Sequence, residues 1–269
     1  MKTDSISVSI ITVCFNSEKT IRRTLESLRD QISGNFEVII VDGSSTDNTL
    51  EIVKEFDGLV DRIISEHDSG IYDAMNKGVA LATGEYIAFL NSDDAYLPHT
   101  IDAVVRCIKQ HKPDVVYGNI EKERRLGDEI LTRIEKPRLD DMPKTMGVFH
   151  PAGFVHRRFF QKFGGFDTRF KLAADYHFML RVYQSKARFH YLDEVLAIFT
   201  IGGASNYSCG AYQEAITIQT ELNTGYQDAM KRLYAKCLKK QRQQRLIAKF
   251  ARLPILRKIY QNRIKKRWS

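Results

Sequence analysis

The spacing of apolar positions changes several times along the chain, and each change predicts an element. Val8-Ser9-Ile10-Ile11-Thr12-Val13 is rich in β-branched residues and predicts a strand. After Ser17 the apolar residues Ile21, Leu25 and Leu28 share one helical face. Residues 36–41 predict a second, buried strand, ended by Asp42-Gly43-Ser44-Ser45. Asp47 then predicts the cap of a helix that carries Leu50 and Val53 inward. Residues 60–65 predict a third strand, and residues 70–82 a helix closed by Gly84. Tyr86-Ile87-Ala88-Phe89-Leu90 predicts a fourth strand, and Pro98 opens a helix with Ile101, Val105 and Ile108 in register.

Strands and helices that alternate over short connections form a parallel sheet covered by helices. Ligands of such sheets bind at the carboxyl ends of the strands, and polar clusters follow three of the predicted strands here. Beyond Val115 the alternation weakens. Residues 121–144 are charged and proline-bearing and predict an irregular excursion. A helix returns over 175–184 with Phe178, Met179 and Val182, and from Ala211 the pattern is mostly helical.

Charge divides the chain. The formal net charge over 269 residues is +8, yet fifteen of the 41 Lys and Arg lie from Lys231 to Arg267. No acid follows Asp228, so the rest of the chain carries a net of −7. A basic segment on an acidic body points to an anionic surface as the segment's partner. The four cysteines, Cys14, Cys107, Cys209 and Cys237, show neither CxxC spacing nor a framework pattern, and the simple reading is reduced thiols in an intracellular compartment. No export signal and no uncharged apolar run of spanning length is visible.

Four clusters can carry chemistry. Asn91-Ser92-Asp93-Asp94 follows an apolar strand, where short carboxylates either hold a hard divalent ion or form an Asx turn capping the next helix. Val41-Asp42-Gly43-Ser44-Ser45-Thr46-Asp47 either offers an acid to a base N–H or ribose hydroxyl, or is a tight turn with a cap. The segment from Glu66 through Asp68, Asp73 and Asn76 to Gly78 packs polar groups into a loop and the start of a helix. In Leu172-Ala173-Ala174-Asp175-Tyr176 a lone acid sits among apolar neighbours, either as a general base or as a helix N-cap.

In order and context these clusters resemble the family 2 glycosyltransferases, whose nucleotide-binding fold is called GT-A. Ser9-Ile10-Ile11-Thr12-Val13-Cys14-Phe15-Asn16 is similar to that family's opening strand, and the Val41 to Asp47 segment to its second motif. Gly84 to Asp94 is similar to its strand and metal motif, and Gly164-Gly165-Phe166-Asp167 with Ala174-Asp175 to its acceptor-side segment. The Asp68 to Gly78 segment and Gly202-Gly203-Ala204-Ser205 resemble bacterial transferases that build cell-surface polysaccharides. The resemblance implies an α/β GT-A fold, with a Rossmann-like, mostly parallel sheet flanked by helices and a C-terminal helical basic tail. It divides the chain into a catalytic domain over 1–228, with a nucleotide-sugar half to about 120 and an acceptor half over 121–228, and a tail over 229–269.

The resemblance also implies roles. Thr12, Asn16 and Glu18 would line the nucleoside pocket, with Asp42 reading the base and Asp68 beside the nucleotide. Asp93 would ligate Mg2+ or Mn2+, with Asn91 beginning the motif and Asp94 on the sugar side. Asp175 would be the base and His150 would lie on the acceptor side, unless local hydrogen bonds satisfy that histidine. Two positions depart from the family pattern: Asn91 stands where Asp is frequent, and Ala174 where Glu often precedes the base. The implied reaction is inverting, metal-dependent transfer from a nucleotide-sugar, UDP-linked by preference, to a glycan or lipid-linked glycan.

In the tail, Pro254 predicts the start of a last helix, with Leu256, Ile259, Tyr260 and Ile264 on one face and Trp268 near its end. Such a basic amphipathic helix either lies on an anionic membrane or packs on the catalytic domain with its charges in water. The first alternative places a cytoplasmic protein on the inner face of the plasma membrane. Nucleic acid ranks last as a partner, because no recognised motif for it is present. A dehydrogenase is disfavoured because no GxGxxG follows the first strand. The competing functions are a nucleotidyltransferase on a similar sheet and a non-catalytic nucleotide- or carbohydrate-binding protein.

Overall fold

A computed structural model describes residues 7–31, 35–201 and 209–250, with side chains to 243 in the last helix. The Gly202-Gly203-Ala204-Ser205 loop and the helix expected from Pro254 lie outside these residues. Strands β1 (Ser7–Cys14), β2 (Asn35–Asp42), β3 (Arg62–Ser65) and β4 (Tyr86–Phe89) alternate with helices α1 (Ile21–Arg29), α2 (Thr49–Lys54) and α3 (Ile71–Leu81). There follow β5 (Ala95–Tyr96), α4 (Thr100–His111), β6 (Val115–Leu126), β7 (Glu129–Glu135), β8 (Gly153–His156), α5 (Arg158–Phe163), α6 (Ala174–Gln184), β9 (Phe189–Thr200), α7 (Gly210–Glu221) and α8 (Gln227–Phe250).

These strands form one sheet in the order β3-β2-β1-β4-β8-β6-β9-β5, with β7 paired to β6. The first four are mutually parallel, as the alternation predicts. The sheet is mixed beyond them, because β8 inserts antiparallel between β4 and β6, while β5 and β7 also run against their neighbours. Six of the nine strands still point one way, so the carboxyl ends of β1 to β4 share one edge.

Both faces of the sheet are covered, which is why its strands read as continuous apolar runs. Alternation along β1 sends Val8 and Ile10 to the face packed with Ile21, Leu25, Leu28, Ile101 and Val104. It sends Ile11 and Val13 to the face packed with Tyr72, Met75, Phe160 and Phe178. Ile21, Leu25 and Leu28 are all fully buried, as their spacing predicts. In α4 the buried row is Ile101, Val104 and Ile108, with Val105 only half-buried. The third strand begins at Arg62, later than expected, and α3 ends at Leu81 with Ala82 extended; Gly84 instead donates its N–H to Ser9 Oγ, 2.8 Å away.

The expected irregular excursion is instead the β6–β7 hairpin, turned at Gly127 with φ +68°. Its charges misled the pattern because several are half-covered by pairing, as in Lys122 with Glu135. On the protein side Arg23 of α1 reaches Glu123 of β6 with two nitrogens, at 2.9 and 2.7 Å. The cysteine reading is also corrected. Cys209 and Cys237 form a disulfide between the start of α7 and α8, while Cys14 and Cys107 are free and buried. Residues 28 apart show no framework spacing in sequence, and only the antiparallel packing of two helices brings them together. Disulfides are rare in reducing compartments, so the cysteines no longer support an intracellular reading. Among the described residues, no helix is long and apolar enough to cross a membrane.

Helix α3 approaches the sheet so closely that a Cβ on Gly78 would overlap Ile11 Cγ2. Gly78→Val should therefore cost about 1–3 kcal/mol by overpacking. A melting temperature lower by roughly 3–10 °C is the expected readout; an unchanged one would mean that α3 can lift from β1 freely.

Candidate active site

Loops from the carboxyl ends of β1 and β2 are stitched to each other. Asn16, in the left-handed region at φ 48°, donates its N–H to Ser45 Oγ at 2.8 Å and accepts the Thr46 N–H on Oδ1 at 2.9 Å. Asn is one of the few residues that adopt this conformation at small cost. Glu18 accepts the Asn48 N–H at 3.2 Å, and Asp47 accepts those of Glu18 and Thr49 at 3.1 and 3.0 Å. Asp47 thus bonds the first residue of α2 from one position ahead of the N-cap, which is Asn48 and not the expected Asp47.

The remaining nucleoside candidates lie deeper. Thr12 is fully buried, and its Oγ1 has no hydrogen-bond partner. Asp42 is fully buried too: one oxygen accepts the Ser45 N–H at 3.0 Å and the Ser65 hydroxyl at 2.7 Å, and the other accepts the Ser45 hydroxyl at 2.5 Å. Burial and this carboxylate push the neighbouring Cys14 thiol far up. Asp42 in this position fixes the turn and offers a ligand no accessible edge, so the base-reading role implied for it has no support in the geometry. The accessible groups are Asp68 and Phe15. Asp68 accepts the Gly70 N–H at 2.9 Å, and its other oxygen lies where a Cβ on Gly43 would sit. Phe15 is 62% exposed and reaches the same point.

In Asn91-Ser92-Asp93-Asp94 the Asp94 N–H closes a turn on the Asn91 carbonyl at 3.0 Å. The next helix starts only at Thr100, so the tetrad does not cap it. Ser92 is joined to the first loop by its hydroxyl, 2.9 Å from Ser17 Oγ. Asp93 is partly exposed, and partial burial raises its carboxyl above the usual range. Asp94 turns inward, at 1% exposure, and accepts the Thr200 N–H at 3.0 Å. Burial, and secondly the Asp93 charge, hold its carboxyl well above the usual range. The sugar-side position expected for Asp94 is corrected by this burial. Among the described residues no three His, Cys, Asp or Glu side chains converge as a metal cage. Asp93 and the buried, unpartnered Asn91 Oδ1 fit an ion that takes its other ligands from outside the protein.

On the acceptor side Asp175 lies in the first turn of α6, whose N-cap is Ala173. Asp175 is therefore not the N-cap, and Glu214 of α7 accepts the N–H groups of Lys171, Leu172 and Ala173 just ahead of the helix, each at 2.9 Å. Asp175 Oδ1 accepts the Tyr72 hydroxyl and the Tyr176 N–H, both at 2.8 Å. No described residue donates to its Oδ2. His150 stacks on Phe89 at 5.1 Å with its Nε2 buried and unpartnered. Burial lowers its pKa, and the Asp175 charge opposes that shift, which sets the two on one side of the site. Local hydrogen bonds do not satisfy this imidazole nitrogen.

The sequence profile described as Glycosyl transferase family 2 matches residues 9–187. The chain is 35% identical over 208 residues to a PGL/p-HBAD biosynthesis glycosyltransferase of Mycobacterium bovis, covering 74% of this chain and 78% of the relative. The chain belongs to glycosyltransferase family 2. Among solved structures, S. aureus TarS in complex with UDP-GlcNAc superimposes with a TM-score of 0.67 at 23% identity, over 87% of this chain and 72% of that one. The mannosyltransferase PcManGT of Pyrobaculum calidifontis, in complex with GDP-Man and Mn2+, gives 0.61 at 16% identity, over 93% and 82%. The fold of this glycosyltransferase is accordingly GT-A-like.

Sequence reasoning missed three residues of this glycosyltransferase's site. Phe15 carried a usable signal, a large aromatic directly after a strand and inside a polar loop. Tyr72 and Glu214 carried none, since their partners lie 103 and more than 40 residues away. Ala174, where the family often has Glu, is fully buried in the apolar layer, so of that pair of positions only Asp175 is accessible.

Gly43→Ala should push Asp68 and Phe15 away from their shared place, because the new Cβ would meet Asp68 Oδ2 at 2.5 Å. Donor affinity should fall roughly tenfold to a hundredfold, the weight of one hydrogen bond to a charged group. Titration calorimetry with the preferred nucleotide-sugar checks this, and unchanged affinity would separate Asp68 from donor binding.

Proposed function

We propose that this glycosyltransferase moves a sugar, with inversion, from a nucleotide-diphosphate donor to a hydroxyl of a glycan or lipid-linked glycan, and that Asp175 is the base. The observation that carries this reading is the Asp175 carboxylate, with one oxygen anchored twice and no described donor on the other. Anchoring one oxygen fixes the direction in which the other can accept a proton, as a general base requires. The TarS complex supports UDP as the nucleotide, and the GDP-Man complex favours GDP as the second choice. The PGL/p-HBAD biosynthesis role of the mycobacterial relative supports an acceptor in glycolipid or cell-surface glycan assembly.

In this reading the donor lies along the carboxyl ends of β1 to β4, with its base against Phe15 and its ribose or phosphates beside Asp68. Thr12, Asn16, Glu18 and Asp42 shape the pocket from behind, through the bonds between the two loops. Asp93 and Asn91 would hold Mg2+ or Mn2+, which offsets the charge that develops on the departing diphosphate. Asp175 removes the acceptor proton as that oxygen attacks the anomeric carbon, and a single displacement inverts the centre. His150, neutral and apolar in its surroundings, lines the acceptor side.

A panel of nucleotide-sugars assayed for nucleotide-diphosphate release tests the proposal. Asp175→Asn should lower turnover by roughly two to four orders of magnitude, with donor affinity unchanged. Asp93→Ala, or a chelator on the native enzyme, should abolish turnover. Near-normal turnover of the Asn variant removes the base, and undiminished turnover in chelator removes the metal.

The basic segment supports a peripheral place on an anionic membrane, where lipid-linked acceptors reside. Lys231, Arg232, Lys236, Lys239, Lys240 and Arg242 begin it on α8. Each Lys or Arg near such a surface contributes about 1 kcal/mol. The full chain should sediment with anionic vesicles and release at high salt, and loss of this behaviour on substituting the basic residues beyond 250 checks the segment's part. Sedimentation unaffected by those substitutions would assign any membrane affinity to the catalytic body.

A further inference from the structure

Helix α3 joins the donor loop to the acceptor half along one face. At its start the Asp68-Ser69-Gly70 loop carries the donor-side carboxylate, bonded to the Gly70 N–H at 2.9 Å. Two residues later Tyr72 donates to Asp175 Oδ1 at 2.8 Å. One turn on, Asn76 accepts the Phe166 N–H and donates to the Phe166 carbonyl, both at 2.8 Å. From the other side, Lys171 Nζ donates to the Ser69 carbonyl at 3.2 Å. Tyr72 itself is 8% exposed, with its ring 5.5 Å from that of Phe166.

We propose that Tyr72 is the positioning residue of Asp175, fixing the carboxylate from α3 so that its free oxygen faces the acceptor. This rests on Asp175 being the base. Three arguments carry it. The Tyr72 hydroxyl is the only side-chain donor to Asp175 among the described residues. A phenol buried beside a carboxylate keeps its proton, and burial and Asp175 together hold this one far above its usual value. Its partner oxygen is therefore always an acceptor. Finally, Glu214 takes the N–H groups of Lys171, Leu172 and Ala173 ahead of α6, and among the described residues the backbone offers Asp175 just the adjacent Tyr176 N–H. The other titratable groups around Asp175 are His150, kept neutral by burial, Glu214, occupied by three N–H groups, and Lys171, bonded to Ser69.

Tyr72→Phe keeps the ring and removes the hydroxyl. In the full-length enzyme kcat should fall roughly tenfold to a hundredfold, with donor affinity and melting temperature little changed. KM for the acceptor should change little, so that the loss falls on kcat. Placed on Asp175→Asn, the same substitution should cost nothing more, since the two act through one contact. 3-Fluorotyrosine at position 72, still a donor and of nearly the same shape, should keep near-native kcat and guards against a folding defect in the Phe variant. A loss carried by KM and not by kcat, or full additivity with Asp175→Asn, would overturn the positioning role while leaving Asp175 as the base. Near-normal turnover of Asp175→Asn alone would instead bring down the reading beneath it.

Discussion

Asn76 makes two hydrogen bonds to the backbone of one residue, Phe166, and most of the site depends on that clasp. Gly165, at φ +79°, brings the chain so near that a Cβ there would meet Asn76 Oδ1 at 2.5 Å. No residue but glycine combines that backbone conformation with that approach at small cost. The clasp fixes the turn after α5 against α3, and the chain from that turn runs through Lys171 to Asp175. On its inner side α3 is set against β1 through Gly78. One helix thus transmits the position of the parallel sheet to both the donor loop before it and the base across from it. The geometry needs no long rigid linker, because each contact is a side chain meeting backbone or a close glycine approach.

What the sequence made legible follows from which forces are local. Strands β1, β2 and β4 read correctly because their apolar runs reflect burial on both faces, and Ile21, Leu25 and Leu28 of α1 are each fully buried; β3, mostly exposed, begins later than its pattern predicts. The β6–β7 hairpin did not, since Glu121, Lys122, Arg124 and Arg125 look like a loop until their pairing with β7 is known. The insertion of β8 against the parallel strands was equally invisible, because strand direction is a tertiary property. In the site, Asp68, Asp93 and Asp175 were found as accessible acids. Asp42 and Asp94 were named with them, and their burial depends on Ser45, Ser65 and Thr200, whose approach no spacing encodes.

The two halves of the site handle their acids by different physics. On the donor side Asp42 is buried and surrounded by donors, a condition under which a carboxylate tolerates the loss of water. On the acceptor side Glu214 does similar work, gathering the three N–H groups just ahead of α6. In both places one acid organises the backbone beside another: Asp42 for the turn beside Asp68, and Glu214 for the turn beside Asp175. An Asp or Glu in a motif of this kind is therefore assigned by counting the donors around it.

The motif at the end of β4 follows the same logic with a different result. Asn91 is neutral, and Asp94 is buried, with its carboxyl raised by burial and by the neighbouring charge of Asp93. Of its four residues, only Asp93 then presents a negative charge outward. One carboxylate with a neutral oxygen is a weak site for a hard divalent ion, whose affinity rises with the number of charged ligands. In the proposed reaction the diphosphate of the donor supplies the missing charge. Ion and donor then strengthen each other's binding by the same factor, as linkage requires. In that reaction a site of this kind would retain little ion between turnovers and gather it with the substrate, so Asn91 would make metal binding a consequence of donor binding.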